Sequence, residues 1–412
     1  MQVTLIGGGI GGLAAALALH ARGIQVRVFE QVPQIRALGV GINLLPHAVE
    51  VLSGLGLGPA LDATGIRTRA LVFMNRHGQE IFADLRGLGA GYGHPQYSIH
   101  RGELQMILLE AATRSLGADN ILTGRRLTGF EQLPTGRVRA RFADRDGNPA
   151  GEVESDLLVG ADGIHSVVRA HFHPDEGMPI WNGVTMWRGV TEGKPFLSGA
   201  DMVQAGHRNQ KFVVYPISRK HADRGEALIN WICDLRQDGK PMLRREDWNK
   251  PGELAEFLPR FEDWRFPFLD VPGIIRSASS IYEFPMVDRD PLPGWSHGRV
   301  TLLGDAAHPM YPIGSNGATQ AILDAAQLAE SLATHPDPVA ALQAYERKRL
   351  PMTAEIVRMN RKQGIDAILD LVEARAPGGF SSIESVLPRA ELDAIISGYK
   401  AAAGHRQQAR PA

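Results

Sequence analysis

Gly7-Gly8-Gly9-Ile10-Gly11-Gly12 sits between the apolar run Val3-Thr4-Leu5-Ile6 and an alanine- and leucine-rich segment, and Glu30 follows a second apolar alternation, Gln25 to Phe29. A GxGxxG loop between a strand and a helix, with an acid roughly twenty residues on, is the pattern that a dinucleotide pyrophosphate requires. The glycines turn the backbone tightly and bring it close to the phosphates, whose charge meets the free N–H groups of the helix starting near Gly11. Glu30 then accepts hydrogen bonds from a ribose. On these residues alone the dinucleotide is NAD or FAD. Two later strands also end in glycine and aspartate: Val153 to Val159 runs into Gly160-Ala161-Asp162-Gly163, and Arg299 to Leu303 into Gly304-Asp305. Ligands of an open α/β sheet bind outside the carboxyl ends of its strands, so one extended cofactor can touch all three. Pro312 to Ala318 opens a further helix, whose N–H groups can face an acceptor that gains negative charge.

The elements that must position these residues can be read along the chain. Residues 3–30 give strand, helix, strand, with Leu13, Leu17 and Leu19 along the helix and Gly23 at its end. Pro33 to Pro46, which contains Arg36, reads as loop, followed by a short helix stopped near Gly54 and Gly56. Ala70 to Leu85 alternates like a hairpin turning at His77-Gly78, and Arg101 to Leu116 reads as an amphipathic helix. Gly136 to Ala143 and Gly151 to Leu158 flank a turn and form an antiparallel excursion. Between about 176 and 284, five of the six tryptophans and strands at 184–190, 211–217 and 227–234 indicate a second, sheet-rich domain. Residues 318–333 read as a helix, and 338–374 as helical with a break at Pro351. Beyond Ala376 the polar tail is expected to fray. The predicted fold is α/β with two domains, a Rossmann-like dinucleotide domain and an inserted β-sheet domain. Its expected division is 1–175 and 284–350 for the first, 176–283 for the insert, and 351–412 for C-terminal helices and tail.

The chain has 412 residues, 44% of them hydrophobic, which suffices for two cores. Its 44 Lys plus Arg nearly cancel 45 Asp plus Glu, so the net charge favours neither nucleic acid nor an anionic membrane. Cys233, the single cysteine, lies in a strand-like apolar run and reads as a small core residue in a protein of a reducing compartment. No apolar run reaches the roughly 18 residues of a membrane span. The first strand begins too early for a signal peptide, so a cytoplasmic location is expected. His171, His173 and Asp175 lack metal-ligand spacing, and no metal is expected.

Taken together, Gly7 to Gly12 with Glu30, Gly160-Ala161-Asp162-Gly163 through Arg169, and Gly304-Asp305-Ala306-Ala307-His308-Pro309 resemble the dinucleotide, DG and GD motifs of the class A flavoprotein aromatic hydroxylases, over about residues 2–360. The resemblance implies a para-hydroxybenzoate-hydroxylase-like fold, FAD as cofactor, NADH or NADPH as co-substrate, and a small aromatic substrate with O2. It places Gly7, Gly9, Gly11 and Gly12 along the pyrophosphate, Glu30 on the adenosine ribose, Arg36 in the cofactor-facing loop and Leu127 beside the adenine. Arg101 reaches the flavin side and Asp305 the ribityl chain, while Asp162 serves both FAD and the nicotinamide cofactor. Gly317 and Ala318 present N–H groups to the flavin edge, and the carbonyl of Pro312 faces the substrate. Here the chain departs from the family's Gly-Gln-Gly, having Ser315-Asn316-Gly317, which puts side-chain contacts at those positions in question. Blocks at 95–109, 186–192, 215–218 and 285–293 resemble the phenazine-hydroxylating branch of that family, whose substrate is 5-methylphenazine-1-carboxylate.

The chemistry that the resemblance implies is delivery of an electrophilic OH from a flavin C4a-hydroperoxide to an electron-rich ring, with the protein placing the ring and excluding water. No side-chain base is required. Tyr215, on the strand Phe212 to Tyr215, is the side chain expected on the substrate face, with a core tyrosine as the alternative reading. For Trp187 packing is expected, for Arg188 a surface salt bridge, and for His308 either a site role or a plain strand-end position. A halogenase shares the scaffold, but its Trp-x-Trp-x-Ile-Pro signature is absent; a non-catalytic flavin- or ligand-binding module is the other alternative. A monomer or homodimer is expected, without nucleic-acid or membrane partners.

Overall fold

A computed structural model describes residues 1–237, 250–362 and 366–402. The part of the tail expected to fray that spans 403–412 lies outside the described residues. The first strand, Gln2–Ile6, is central in a five-stranded parallel sheet. Gln25–Phe29 and Leu157–Gly160 flank it, with Ile121–Leu122 and Val300–Leu302 outermost. The helix Ile10–His20 follows the glycine loop at once and is buried almost all round, including Ala14, Ala15 and Ala16. Small residues are needed there because it packs closely on the helix Asn316–Thr334. A Cβ on Gly11 would lie 2.9 Å from Leu303 and 3.1 Å from Ala321. The three-stranded antiparallel sheet of Arg126–Gln132, Val138–Ala143 and Pro149–Ser155 adds Phe130, Val138, Ala140 and Phe142 to the same core.

A seven-stranded sheet forms the second layer. Its order is Ile281–Asp288, Ile180–Gly193, Ala227–Arg236, Gln210–Pro216, Met202–His207, Ala70–Met74, Glu80–Leu85. All neighbours are antiparallel except Met202–His207 with Ala70–Met74. One face carries an aromatic core of Phe212, Trp231, Phe257, Phe261, Trp264 and Phe266, with Cys233 fully buried among them.

The expected division of the chain is corrected at three places. The hairpin 70–85 belongs to this sheet and not to the first domain, because Leu71 to Met74 pair with Met202 to Ala205. The boundary at 283 falls inside the strand Ile281–Asp288, which tolerates Pro285 because it is an edge strand. The boundary at 350, with its break at Pro351, falls inside one continuous helix, Pro338–Arg361. Pro351 points to solvent, Thr353 Oγ1 donates to the carbonyls of Arg349 and Leu350, and Ala341, Leu342, Tyr345, Ala354 and Val357 are buried on both sides of it. Packing along the whole helix outweighs one lost hydrogen bond.

Three other elements differ from expectation. Gly41–Leu44 is a strand inside the stretch read as loop, held by pairing with Tyr97–His100. Residues 153–159 are divided, Pro149–Ser155 joining the antiparallel sheet and Leu157–Gly160 the parallel one. Part of the tail is ordered too: Leu387 and Leu392, the latter on the helix Arg389–Ala402, pack on Phe73, Ile81 and Phe82 of the hairpin. Among the described residues no helix is long and apolar enough to cross a membrane.

A buried polar network joins the helices to the parallel sheet. Asp324, fully buried, accepts hydrogen bonds from Gly304 N (3.0 Å), His308 Nε2 (2.5 Å) and Arg349 Nε (2.7 Å). Arg349 also reaches Gln320 Oε1 at 2.6 Å. Burial alone would push the Asp324 carboxyl up, but His308 and Arg349 more than reverse this and bring it to about 2. A carboxylate held below its unfolded value stabilises the fold fully above about pH 4 and loses that contribution as the pH falls through the folded value. Asp324→Asn leaves Arg349 buried without its counter-charge. Urea unfolding at pH 7 should show a loss of about 3–5 kcal/mol. The deficit should shrink as the pH falls from 4 towards 2.

Candidate active site

The three strand ends meet at the carboxyl edge of the parallel sheet. Gly7 takes φ +109°, and a Cβ on it would lie 2.3 Å from the carbonyl oxygen of Ala161; Ala161 N donates to Ile6 O at 2.8 Å. A Cβ on Gly12 would lie 2.0 Å from the carbonyl oxygen of Gly7, whereas nothing stands within 4 Å of one on Gly9. The loop is thus packed tightly on its inner side and open on its outer side, as a cradle for phosphate must be. Glu30 accepts from Gly8 N (2.7 Å) and Val32 N (2.9 Å), which fixes the acid against the loop and leaves further lone pairs for a ribose. Residues 122–127 run beside it, through Glu30 N to Leu122 O and Arg125 N to Glu30 O. Leu127 itself is buried in the core, so only its backbone can serve a ligand. Arg36 is exposed on its loop, with Nε on Gln34.

Asp162 is bonded within its own segment. Its carboxylate accepts from Ser166 Oγ (2.6 Å) and Val167 N (2.7 Å), capping the helix Val167–Phe172. Ser166 Oγ caps the same helix start by accepting from Arg169 N at 2.9 Å, and Asp162 takes the N–H of Val167 that this leaves free. Arg169, two residues into that helix, is buried and donates to the carbonyls of Ala306 (3.0 Å) and Ala307 (2.8 Å). The turn Gly304–Ala306 is therefore held from one side by Arg169 and from the other by Asp324. His308 is resolved as part of that support. The turn presents Asp305 to a cavity, and among the described residues no side chain hydrogen-bonds its carboxylate. Burial raises its pKa while His308 and Arg101 oppose the rise. Arg101 is exposed, its stem against Gly39, and its guanidinium makes no hydrogen bond or ion pair among the described residues. Desolvation lowers its pKa, with Asp305 opposing and Arg188 reinforcing the shift.

The cavity, about 280 Å³, lies between the second face of the seven-stranded sheet and the start of the helix Asn316–Thr334. The chain enters that helix through Gly314 (φ +70°) and Ser315 (φ +59°), two successive left-handed residues. The serine adopts this conformation at a cost of about 1–2 kcal/mol. The result turns the first-turn backbone at Gly317 and Ala318 along the cavity wall, with Pro312 beside it. Opposite are the apolar Met186, Met202, Val213, Ile232 and Met286, and among them Tyr215 and Arg188.

Tyr215 is almost fully buried and donates to Gly41 O at 2.9 Å; burial raises its pKa, with Arg188 opposing. Arg188 is no surface residue: its Nη2 donates to the same carbonyl at 2.7 Å, and its carbon Cζ lies 5.9 Å from the Phe284 ring centre. Asn230 Oδ1 takes Gly41 N at 2.7 Å, so the backbone of one glycine of the first domain is held by three residues of the second. Trp187 packs on Phe257 as expected. Arg188 and Asn230 were legible only as polar residues recurring at inward positions of apolar strands. No group of three or more His, Cys, Asp or Glu side chains able to hold a metal occurs among the described residues.

Comparison with known proteins follows the same lines. The profile of the FAD binding domain family matches residues 1–360. The chain is 49% identical over 363 residues to phenazine 1,6-dicarboxylic acid hydroxylase of Lysobacter antibioticus, covering 87% of this chain and 89% of that protein. It is 32% identical to 3-hydroxybenzoate 6-hydroxylase 1 of Aquipseudomonas alcaligenes, covering 87% and 88%. The fold is similar to that of HpxO from Klebsiella pneumoniae, solved with FAD and uric acid, with TM-score 0.77, 26% identity and coverage of 96% and 97%. FAD fits the site on its geometry: an open glycine cradle, a carboxylate and a guanidinium without partners, and a helix start facing a cavity. Gly12→Ala should drive a methyl group into the Gly7 carbonyl and reduce bound flavin below about a tenth of the wild-type level, read from the ratio of 450 nm to 280 nm absorbance of the purified protein.

Proposed function

The chain belongs to the FAD binding domain family, and on that premise we propose that it is an FAD-dependent monooxygenase that hydroxylates a planar aromatic acid, with NADH or NADPH as electron donor and O2 as oxygen source. The observation that carries this reading is the cavity itself: its one wall is the helix start and Asp305 turn where the flavin ring belongs, and its other wall is a flat apolar sheet face. The relatives named above are hydroxylases, which favours this chemistry over halogenation or simple ligand binding. Given 49% identity to a phenazine hydroxylase, a phenazine or a comparable N-heteroaromatic acid is the substrate we favour. A cytoplasmic enzyme, monomeric or homodimeric, completes the reading.

When bound, FAD supplies hydride acceptance from the nicotinamide and activation of oxygen. The chain's own residues hold and shield. Gly9, Gly12 and Glu30 would hold the adenosine half, Arg101 and Asp305 the flavin half. The N–H groups at Gly317 and Ala318, on the cavity wall, would stabilise negative charge on the bound ring. Met186, Val213, Ile232 and Met286 give the substrate ring a dry, flat bed, and exclusion of water protects the oxygen-transfer step. Pro312, on the cavity wall, would offer its carbonyl to the substrate. Tyr215, its pKa raised, remains a hydroxyl donor and orients Gly41; it does not act as a base. Arg188 supplies charge for a substrate carboxylate.

Two measurements test this. FAD-loaded enzyme should oxidise NADH or NADPH several-fold faster with at least one member of a panel of benzoates, quinoline carboxylates and phenazine carboxylates; no stimulation across the panel would refute the proposal. With the responsive acid, Arg188→Met should raise KM about tenfold or more and change kcat less, the pattern of lost ground-state binding.

A further inference from the structure

The sheet face that floors the cavity is a regular grid. Across three neighbouring strands Arg188 stands opposite Ile232 and Ile232 opposite Val213; one step along, Met186 stands opposite Asp234 and Asp234 opposite Lys211. Arg188 and Asp234 are thus diagonal neighbours, about 7–8 Å apart by strand geometry, separated by the apolar surface of Ile232. Arg188 leans to Gly41 at one end. Asp234 faces the other end, where Lys211 Nζ lies 3.4 Å from Asp234 Oδ2 and 2.9 Å from Asp366 Oδ2. One cation therefore serves two carboxylates at this end, and the nearer link is to Asp366.

Asp234 is 4% exposed and lines the cavity, yet its Oδ1 has no hydrogen-bond partner among the described residues. A buried carboxylate oxygen left unpaired is costly, so such an atom on a residue that lines a binding cavity is a position kept for a ligand donor. Burial pushes the Asp234 carboxyl up, and Lys211 opposes the shift.

We infer that Asp234 is a specificity-determining residue: its Oδ1 accepts a hydrogen bond from a hydroxyl, amino or ring N–H group of the substrate, on the edge of the ring system away from the group held at Arg188. This rests on the aromatic-acid reading above and narrows it. The substrate is an aromatic acid that already carries a hydrogen-bond donor. The cavity has a cationic end and an acceptor end, with a flat apolar strip between. A donor also enriches the ring in electrons, which suits electrophilic hydroxylation. The reaction that supplies this substrate must therefore leave a donor on the ring, by prior hydroxylation, amination or ring reduction.

The test uses FAD-loaded enzyme and equilibrium binding, read by perturbation of the flavin absorbance, so that turnover is not needed. Benzoate, quinoline-2-carboxylate and phenazine-1-carboxylate are each titrated against their ring-hydroxylated and ring-aminated derivatives. The best donor-bearing acid should bind about tenfold or more tighter than its parent. In Asp234→Leu that preference should fall to within about twofold, while Lys211 keeps Asp366 as its partner. Equal binding of parent and derivative throughout the wild-type series would overturn the inference without recourse to any variant, as would a preference that survives Asp234→Leu. Binding of aromatic acids without donor preference leaves the hydroxylase reading standing and removes this one. If no acid in the panel perturbs the flavin, both fall together.

Discussion

The working parts of this molecule depend on how one residue, Gly41, is held. Its N–H is taken by Asn230, and its carbonyl receives both Arg188 and Tyr215. A Cβ there would lie 2.7 Å from that of Asn230, so the two sheets approach to a distance that only glycine permits. Gly41 begins the short strand that pairs with Tyr97–His100, and Arg101 follows directly on that partner strand. The seam that joins the seven-stranded sheet to the glycine-loop domain therefore also sets Arg101, the arginine proposed for the flavin side. Three charge-assisted or fully buried hydrogen bonds on the backbone of a single residue are strong where water is excluded, and costly to leave unmade.

From that seam the rest follows as a division of labour between support and site. Asp324, Arg349, His308 and Arg169 are buried and bonded to one another or to the backbone, and they grip the turn that carries Asp305 without reaching the cavity. Asp305, Arg101 and the helix start at Gly317 are the reverse, rigidly placed and open. Partnered groups behind, unpartnered groups in front, is the arrangement of a preorganised binding site. It also explains why the alternate sheet face is so aromatic: Trp231, Phe257 and Phe261 stiffen the floor from beneath, leaving its cavity side to smaller apolar residues and a few polar groups.

Much of this was legible in the sequence where the signal is local. The glycine loop with Glu30, the helix beginning at Arg101 and the hairpin at His77-Gly78 are written in contiguous residues, and each forms where its pattern places it. What escaped are decisions made at long range. The strand at Gly41 lies in a Gly- and Pro-rich stretch and exists only because Tyr97–His100 pairs with it. The hairpin at 70–85 shows its own shape but not its partner, which is some 130 residues away in strand Met202–His207. Pro351 reads as a helix break because local rules cannot weigh the buried face that continues past it. Asp162 reads as a cofactor ligand by resemblance, yet its carboxylate caps a helix. Arg188 reads as a surface charge because alternation alone does not say which face of a sheet meets another domain.

On the function proposed above, this cavity places an aromatic ring where one atom of oxygen is inserted into it. The most direct test is mass spectrometry of the product formed under ¹⁸O₂ by FAD-loaded enzyme with NADH or NADPH and the aromatic acid that stimulates it. The account predicts a product heavier than the substrate by one ¹⁸O atom, with that label on the ring. Nicotinamide oxidation that yields only hydrogen peroxide with every acid bound, or product oxygen drawn from water, would contradict it.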